Sequence, residues 1–187
     1  MMDLETKSLW SHLLGRAMDG KLKGTVLEVI PSDMTTWAAW RKSHPQTTVL
    51  DMSRTHRAYT KQFYNQPERF VIGMVDAGKA YHISLAALMK TPVQPLEIGD
   101  QKLVAAFTAE STSARIFSRV VGDRLLTFQA SGQSDMQDSE TNSQWSRATG
   151  VCVKGSLAGK SLTPRAGIIS YKKAWDVFHP NSQEIGR

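Results

Sequence analysis

Cysteine is nearly absent: Cys152 is the only one among 187 residues. A single thiol excludes an intrachain disulfide and any cysteine-based zinc site. Its counterpart in the internal alignment given below is Ala17, so a small, apolar, buried position is expected for both. No run approaches the roughly 18 apolar residues of a membrane-spanning helix. Met1-Met2-Asp3-Leu4-Glu5-Thr6 lacks the apolar core of a signal peptide. A soluble chain of unassigned compartment is therefore expected. Blocks of like charge are missing as well, although 23 Lys and Arg against 17 Asp and Glu leave a formal net charge of +6. The basic residues are scattered in short pairs, Lys21 and Lys23, Arg41 and Lys42, Arg54 and Arg57, Lys172 and Lys173. That spread favours a solvated surface over a nucleic-acid footprint. No phosphate loop is present either. Gly155-Ser156-Leu157-Ala158-Gly159-Lys160-Ser161 has three residues between its glycines, where that loop needs four. No two histidines stand at the i, i+4 spacing of a helical zinc site.

What the chain does contain is itself, in part, twice. Residues 3–45 align with 138–180 without a gap, at a constant offset of 135. Asp3, Glu5, Thr6, Ser8, Trp10 and Ser11 fall on Asp138, Glu140, Thr141, Ser143, Trp145 and Ser146. Gly15, Gly20, Leu22, Gly24, Leu27, Trp40, His44 and Pro45 fall on Gly150, Gly155, Leu157, Gly159, Leu162, Trp175, His179 and Pro180. Self-similarity at a fixed offset marks tandem structural units. The division expected is a C-terminal half unit over 1–48, a linker over 49–68, a complete unit over 69–183 and a tail over 184–187. On this division the chain opens partway through a unit, and a truncated first unit is the expectation.

Local patterns give the elements. Tyr59–Glu68 reads as a polar linker with aromatic anchors. Phe70–Val75, the turn Asp76-Ala77-Gly78 and Lys79–Ile83 read as strand, turn and strand. Ser84 is expected to cap a short helix to Met89. Ile98-Gly99-Asp100 turns into a strand over Lys102–Thr108, and Gly122-Asp123-Arg124 separates Ala114–Val121 from Leu125–Ala130. Asp138–Ser146 alternates like a strand, with Thr141, Ser143 and Trp145 on one face and Asp138, Glu140 and Asn142 on the other. Each copy ends in a short helix. Thr35 or Thr36 is expected to cap Trp37–Ser43, and Ser170 to cap Tyr171–Phe178. The fold class is α+β, mainly antiparallel β: a tandem repeat of a small β-rich unit closed by a short helix.

The Asp-x-Glu-Thr-x-Ser-x-Trp-Ser segment, the Gly-x-Leu-x-Gly turn and the Trp-x-x-x-His-Pro helix end together resemble a bacterial family known as domain of unknown function 3179. The Tyr-rich linker and Val71-Ile72-Gly73…Lys79-Ala80-Tyr81 also resemble it, so the likeness covers nearly the whole chain. It implies two tandem units, the first carrying a Cys-Pro-Leu-Cys motif on a strand that ends in an aromatic residue and an arginine. Phe107–Arg119 matches that strand through Phe107, Ala114, Phe117 and Arg119. The two cysteine positions are Thr108 and Ser111 here, and hydroxyls supply neither thiolate chemistry nor soft metal ligands.

Candidate sites follow. The carboxylate pairs Asp138/Glu140 and Asp3/Glu5 could divide acid and base roles, with Arg119 as a convergent donor. Their Thr, Ser and Trp neighbours point instead to turn bonding and a packed indole. Recurrence in both copies favours that structural role. Trp10, Trp40, Trp145 and Trp175 are expected in the core; Trp37, whose counterpart is Lys172, is expected to be partly exposed. His44 and His179 are expected to cap their helix ends. No metal and no cofactor is expected.

The leading expectation is a non-catalytic structural or binding fragment of a two-unit protein, any redox or metal site lying upstream. Two rivals are a hydrolase-like or lyase-like enzyme built on Asp138 and Glu140, and anion or nucleic-acid binding through the basic surface. Self-association through residues 1–48 is the partner expectation, because their strand lacks upstream neighbours.

Overall fold

A computed structural model describes residues 1–49 and 65–186, so most of the expected linker lies outside the described residues. Two strands, β1 (Leu9–Ser11) and β2 (Arg16–Asp19), form an antiparallel ribbon, and helix α1 (Trp37–Ser43) follows. Thr36 caps α1, its hydroxyl accepting from the Ala39 amide at 3.3 Å.

The larger body begins with β3 (Phe70–Asp76) and β4 (Lys79–Ser84). Their hairpin turns on Ala77 and Gly78, both at positive φ, the geometry whose twist matches paired strands. Ser84 caps α2 (Leu85–Lys90) by accepting from the Ala87 amide at 3.2 Å. Next come β5 (Val93–Ile98), β6 (Gln101–Thr108) and β7 (Ser113–Ser118), a meander, then the small β8 (Val120–Val121) and β9 (Arg124–Leu125). β10 (Phe128–Ser131), β11 (Asp135–Asp138), β12 (Gln144–Ser146) and β13 (Cys152–Lys154) make a second meander. β14 (Pro164–Arg165) and β15 (Ile168–Tyr171) return to earlier sheets, and α3 (Lys172–Phe178) and β16 (Gln183–Glu184) close the order. Three four-stranded sheets result: β14-β7-β6-β5, β15-β3-β4-β16 and β10-β11-β12-β13. Among the named strands only the β16–β4 pair is parallel. The protein is α+β and mainly antiparallel β.

The β14-β7-β6-β5 sheet has a core on each face, and the sequence of β6 shows why. Leu103, Ala105 and Phe107 point into one core, with Ile72, Ile83, Leu85, Leu88 and Ile116. Val104 and Ala106 point into the other, with Phe117, Leu126, Phe128, Met136, Trp145, Cys152 and Leu162. Successive side chains of a strand face opposite ways, so a strand buried on both sides must be apolar throughout.

One expected cap is corrected. Ser170 does not cap the last helix, because it lies in β15, paired with Val71 of β3. The N-cap position of α3 is Tyr171, which makes no side-chain capping bond. The helix is held by packing instead: the Trp175 indole lies against Gly73 of β3, where any Cβ would overlap the ring. Gly73→Ala is therefore expected to cost about 1–3 kcal/mol through overpacking. Urea unfolding should show that loss, while Gly132→Ala, at an open turn position, should lose less.

Candidate functional site

The recurring Asp-x-x-Thr-x-Ser-x-Trp residues form a closed polar knot. Asp138 ends β11, and the chain turns through Ser139–Thr141 and Asn142, the last at φ 56°, before β12 begins. Asp138 Oδ1 accepts from the Thr141 amide at 2.6 Å and from Thr141 Oγ1 at 2.8 Å. Asp138 Oδ2 accepts from the Trp145 indole at 2.8 Å. Thr141 Oγ1 and Ser143 Oγ are 2.7 Å apart, and Ser143 Oγ accepts from the Leu157 amide at 3.4 Å. The Thr141 proton goes to the carboxylate, which can only accept. Ser143 must therefore donate to Thr141, and the protons run in one direction from Leu157 to Asp138.

The equivalent residues of the first segment repeat the pattern. Asp3 accepts from the Thr6 amide at 2.6 Å, Thr6 Oγ1 at 2.8 Å and the Trp10 indole at 3.0 Å. The Ser8 amide adds a bond at 3.1 Å. Thr6 Oγ1 meets Ser8 Oγ at 2.7 Å, and Ser8 Oγ accepts from the Leu22 amide at 3.0 Å. Lys7 takes the positive φ that Asn142 takes. Gly20 and Gly155 both sit against the backbone of the knot serine, where a Cβ would overlap Ser8 or Ser143. Hydrogen bonds from the Trp10 indole and then from Thr6 hold the Asp3 carboxyl well below the usual carboxylate range.

The expected strand over Asp138–Ser146 is corrected accordingly. The segment is a turn between two strands, and Asp138 converges with Thr141 and Trp145 instead of facing away from them. Glu140 leaves the knot: it is exposed, and its Oε2 accepts from the Thr127 amide at 2.8 Å. Its slight burial raises its pKa, but the Thr127 bonds outweigh this and hold the carboxyl below its ordinary value. Asp138 and Glu140 thus do not share a face. Glu5 is exposed. Arg119 is buried and engages Glu97 at 3.7 Å and the Leu126 carbonyl at 3.5 Å. None of its described contacts reaches Asp138 or Glu140.

Thr108 and Ser111 lie buried at the tip of the β6–β7 hairpin. Ser111 Oγ bonds Ser113 Oγ at 2.7 Å, and Thr108 Oγ1 has no partner among the described residues. Arg147, missed by the sequence reading, is buried beside this hairpin. It donates to the carbonyls of Phe107 at 3.0 Å, Gly132 at 3.2 Å and Gln133. Burial lowers its pKa and Asp135 opposes that. Among the described residues no group of three or more His, Cys, Asp or Glu could hold a metal. Cys152 is buried in the second core beside Trp145.

The helix ends also repeat. The Trp40 indole donates to Thr47 Oγ1 at 3.0 Å and the Trp175 indole to Ser182 Oγ at 2.8 Å. Thr47 and Ser182 keep the offset of 135 two residues past the prolines, a signal the shorter alignment stopped before. The His44 and His179 amides bond the Trp40 and Trp175 carbonyls, and each imidazole packs on its tryptophan. His44 Nδ1 also lies 3.3 Å from the Trp40 carbonyl, but His179 Nε2 reaches the Leu13 carbonyl at 3.2 Å, in the other segment.

The tryptophans differ between segments. Trp145 and Trp175 are fully buried, whereas Trp10 and Trp40 are only half-buried, and Trp37 is 48% exposed. Placing all four recurring indoles in the core is therefore corrected for the first segment. The cause is a missing cover. Met136 and Leu162 are 0% and 2% exposed under Phe117, Leu126 and Phe128, while their counterparts Met1 and Leu27 are 75% and 49% exposed. Met1, Met2, Leu4, Trp10, Leu27 and Ile30 instead line an open groove of about 580 Å³.

A family profile described as "Protein of unknown function (DUF3179)" matches residues 1–68 and again residues 65–182. No curated protein and no solved structure matches the chain.

Two measurements test the knot. Asp138→Ala leaves an indole N–H, an amide and a hydroxyl without an acceptor in a dry site, an expected loss of about 3–5 kcal/mol in denaturant unfolding. Asp3→Ala, at a half-exposed site, should lose less. Because the folded Asp3 carboxyl titrates below its unfolded value near 3.9, its stabilising contribution is complete above that value and is lost progressively as pH falls from there to the lower folded value, where the folded carboxyl itself takes up its proton. The Trp10 indole N–H resonance should therefore keep its bonded position as pH drops past 4 and move only well below.

Proposed function

The chain belongs to the family of proteins of unknown function DUF3179, and from that membership and the geometry we propose that it is a non-catalytic structural and binding module. The groove around Trp10 is its binding surface. The carrying observation is the contrast between the two segments. The apolar face that is open beside Trp10 is closed beside Trp145 by Leu126 and Phe128, with the Phe128 ring edge-on to the indole at 5.8 Å. β10 provides this cover by pairing with β11, Phe128 opposite Asp138 and Ala130 opposite Met136. Residues 1–3 occupy the place of 136–138 beside β1, with Met2 bridging Leu9 and the Asp3 amide bonding the Ser8 carbonyl. The ligand the groove suits is accordingly an apolar β-strand from a partner chain. Such a strand would pair with residues 1–3 and set an aromatic side chain against Trp10.

The polar residues support the non-catalytic half of this reading. Asp138 and Asp3 spend their oxygens on donors within their own turns, and Glu140 bonds a neighbouring loop. The positions that match the family's cysteines carry hydroxyls.

A synthetic peptide of residues 123–133 of this chain serves as the probe. Added to the full protein, it should slow amide exchange at Met2 and shift the Trp10 indole resonance, and Trp10→Ala should abolish the protection at Met2. Absence of any effect at Trp10 would contradict the binding half of the proposal. Stoichiometric metal in the purified chain, or thiol–disulfide exchange by it, would contradict the other half.

A further inference from the structure

The two segments differ in more than their cover. At five positions of the shared alignment the second segment carries the polar residues Gln137, Ser139, Gln144, Ser161 and Arg165, and the first carries Met2, Leu4, Leu9, Val26 and Ile30. All five apolar side chains are exposed, from 47% at Leu9 to 82% at Leu4. A lost neighbour exposes a core residue, as at Met1 and Leu27, but it does not turn a surface residue apolar. The exposed set therefore marks an interaction surface. With Met1 and Leu27, and at about 180 Å² for a whole residue of this size, it leaves roughly 800 Å² open, the area each partner of an ordinary stable complex buries.

The edge of the ribbon indicates the partner. Met1 and Trp10 exchange two backbone bonds, at 2.9 and 2.6 Å, and the Asp3 amide bonds the Ser8 carbonyl. Backbone groups alternate in direction along a strand, so the N–H and C=O of Met2 point away from β1. No hydrogen bond to a described residue engages them. Gln137, the counterpart of Met2, pairs on that side with Gln129 of β10. A residue that presents one donor and one acceptor along an open edge is complementary to itself. Two copies set antiparallel exchange both bonds, Met2 to Met2, on a two-fold axis.

We infer, resting on the Trp10 groove as a binding surface, that its occupant is a second copy of this chain, in a two-fold dimer centred on Met2. The register sets Asp3 opposite the partner's Met1, the place that Phe128 takes opposite Asp138. A thioether then lies against the Trp10 indole where Phe128 lies against Trp145, a contact that sulfur and aromatic rings favour. On the other face of the ribbon, Leu9 and Met2 stand opposite each other and continue through the partner's Met2 to the partner's Leu9 as one apolar row. Pairing of identical edges uses up both of them, so association stops at two copies.

Sedimentation equilibrium of the full chain, from micromolar to near-millimolar concentration, tests the pairing. A reversible dimer of twice 20.8 kDa is expected. Met2→Gln with Leu9→Gln gives the first segment the residues with which the second folds, and should weaken the dimer at least about tenfold. Val177→Gln, at an exposed apolar position outside the ribbon, should leave it unchanged. A chain that stays at 20.8 kDa throughout, an open-ended larger assembly, or a dimer indifferent to the double substitution would each overturn the inference. In a chain that stays monomeric, protection of Met2 by the 123–133 peptide would leave the groove standing as a strand-binding surface without this occupant. Loss of that protection as well would end both readings.

Discussion

The fold of each repeated segment depends on a carboxylate that holds an indole. Asp138 receives the Trp145 N–H, the Thr141 amide and the Thr141 hydroxyl. Through Ser143 the same chain of bonds reaches the Leu157 amide, fourteen residues further on. A buried indole needs an acceptor, and a buried charge needs several donors. The knot satisfies both needs at one place, and in doing so it fixes the turn, the start of β12 and the distant Gly155–Gly159 loop. The glycines that border it are glycine for steric reasons, since Ser143 leaves no room for a Cβ at Gly155. The same bonds that organise the segment engage both oxygens of the Asp138 carboxylate.

Around that knot the protein is a three-layer β structure whose middle sheet serves two cores. β6 supplies both, so it ties the meander carrying Trp145 to the sheet on which Trp175 packs. The first segment has the knot without the layers. Its Asp3 network is complete in hydrogen bonds, but Trp10 is only half-covered and Met1 and Leu27 face outward. Local polar bonding and long-range apolar burial are thus separable here, and only the second distinguishes the two segments. His179, reaching the Leu13 carbonyl, and Arg115, paired with Asp33, are two described polar links between the segments.

Much of this was legible in the sequence, and the misses have physical causes. Short apolar runs between Gly-containing turns located the β3–β4, β5–β6 and β8–β9 hairpins, because a strand and its turn are specified locally; the β6–β7 turn, without a glycine, was read as part of one strand over Phe107–Arg119. Thr36 and Ser84 were legible as caps for the same reason. Ser170 was not, since pairing with Val71 is a long-range fact that a local hydroxyl cannot announce. The alternation in Asp138–Ser146 misled because a tight turn with a positive-φ residue carries the same Thr-x-Ser-x-Trp spacing as a strand. The burial of Trp145 against the half-exposure of Trp10 could not be read at all. Identical local residues have different neighbours, and only the topology supplies Phe128 to one and not to the other. Arg147 escaped because its three carbonyl partners come from Phe107 and from the loop before β11, positions that no spacing rule connects.

The most direct test of the account is hydrogen exchange at the two indole N–H groups, measured by NMR on the intact chain. If the carboxylate–indole knot is the anchor and apolar cover sets its permanence, the Trp145 indole will exchange only with global unfolding. The Trp10 indole, equally bonded but half-covered, will exchange much faster. Fast exchange at Trp145, or equal rates at both sites, would contradict the account.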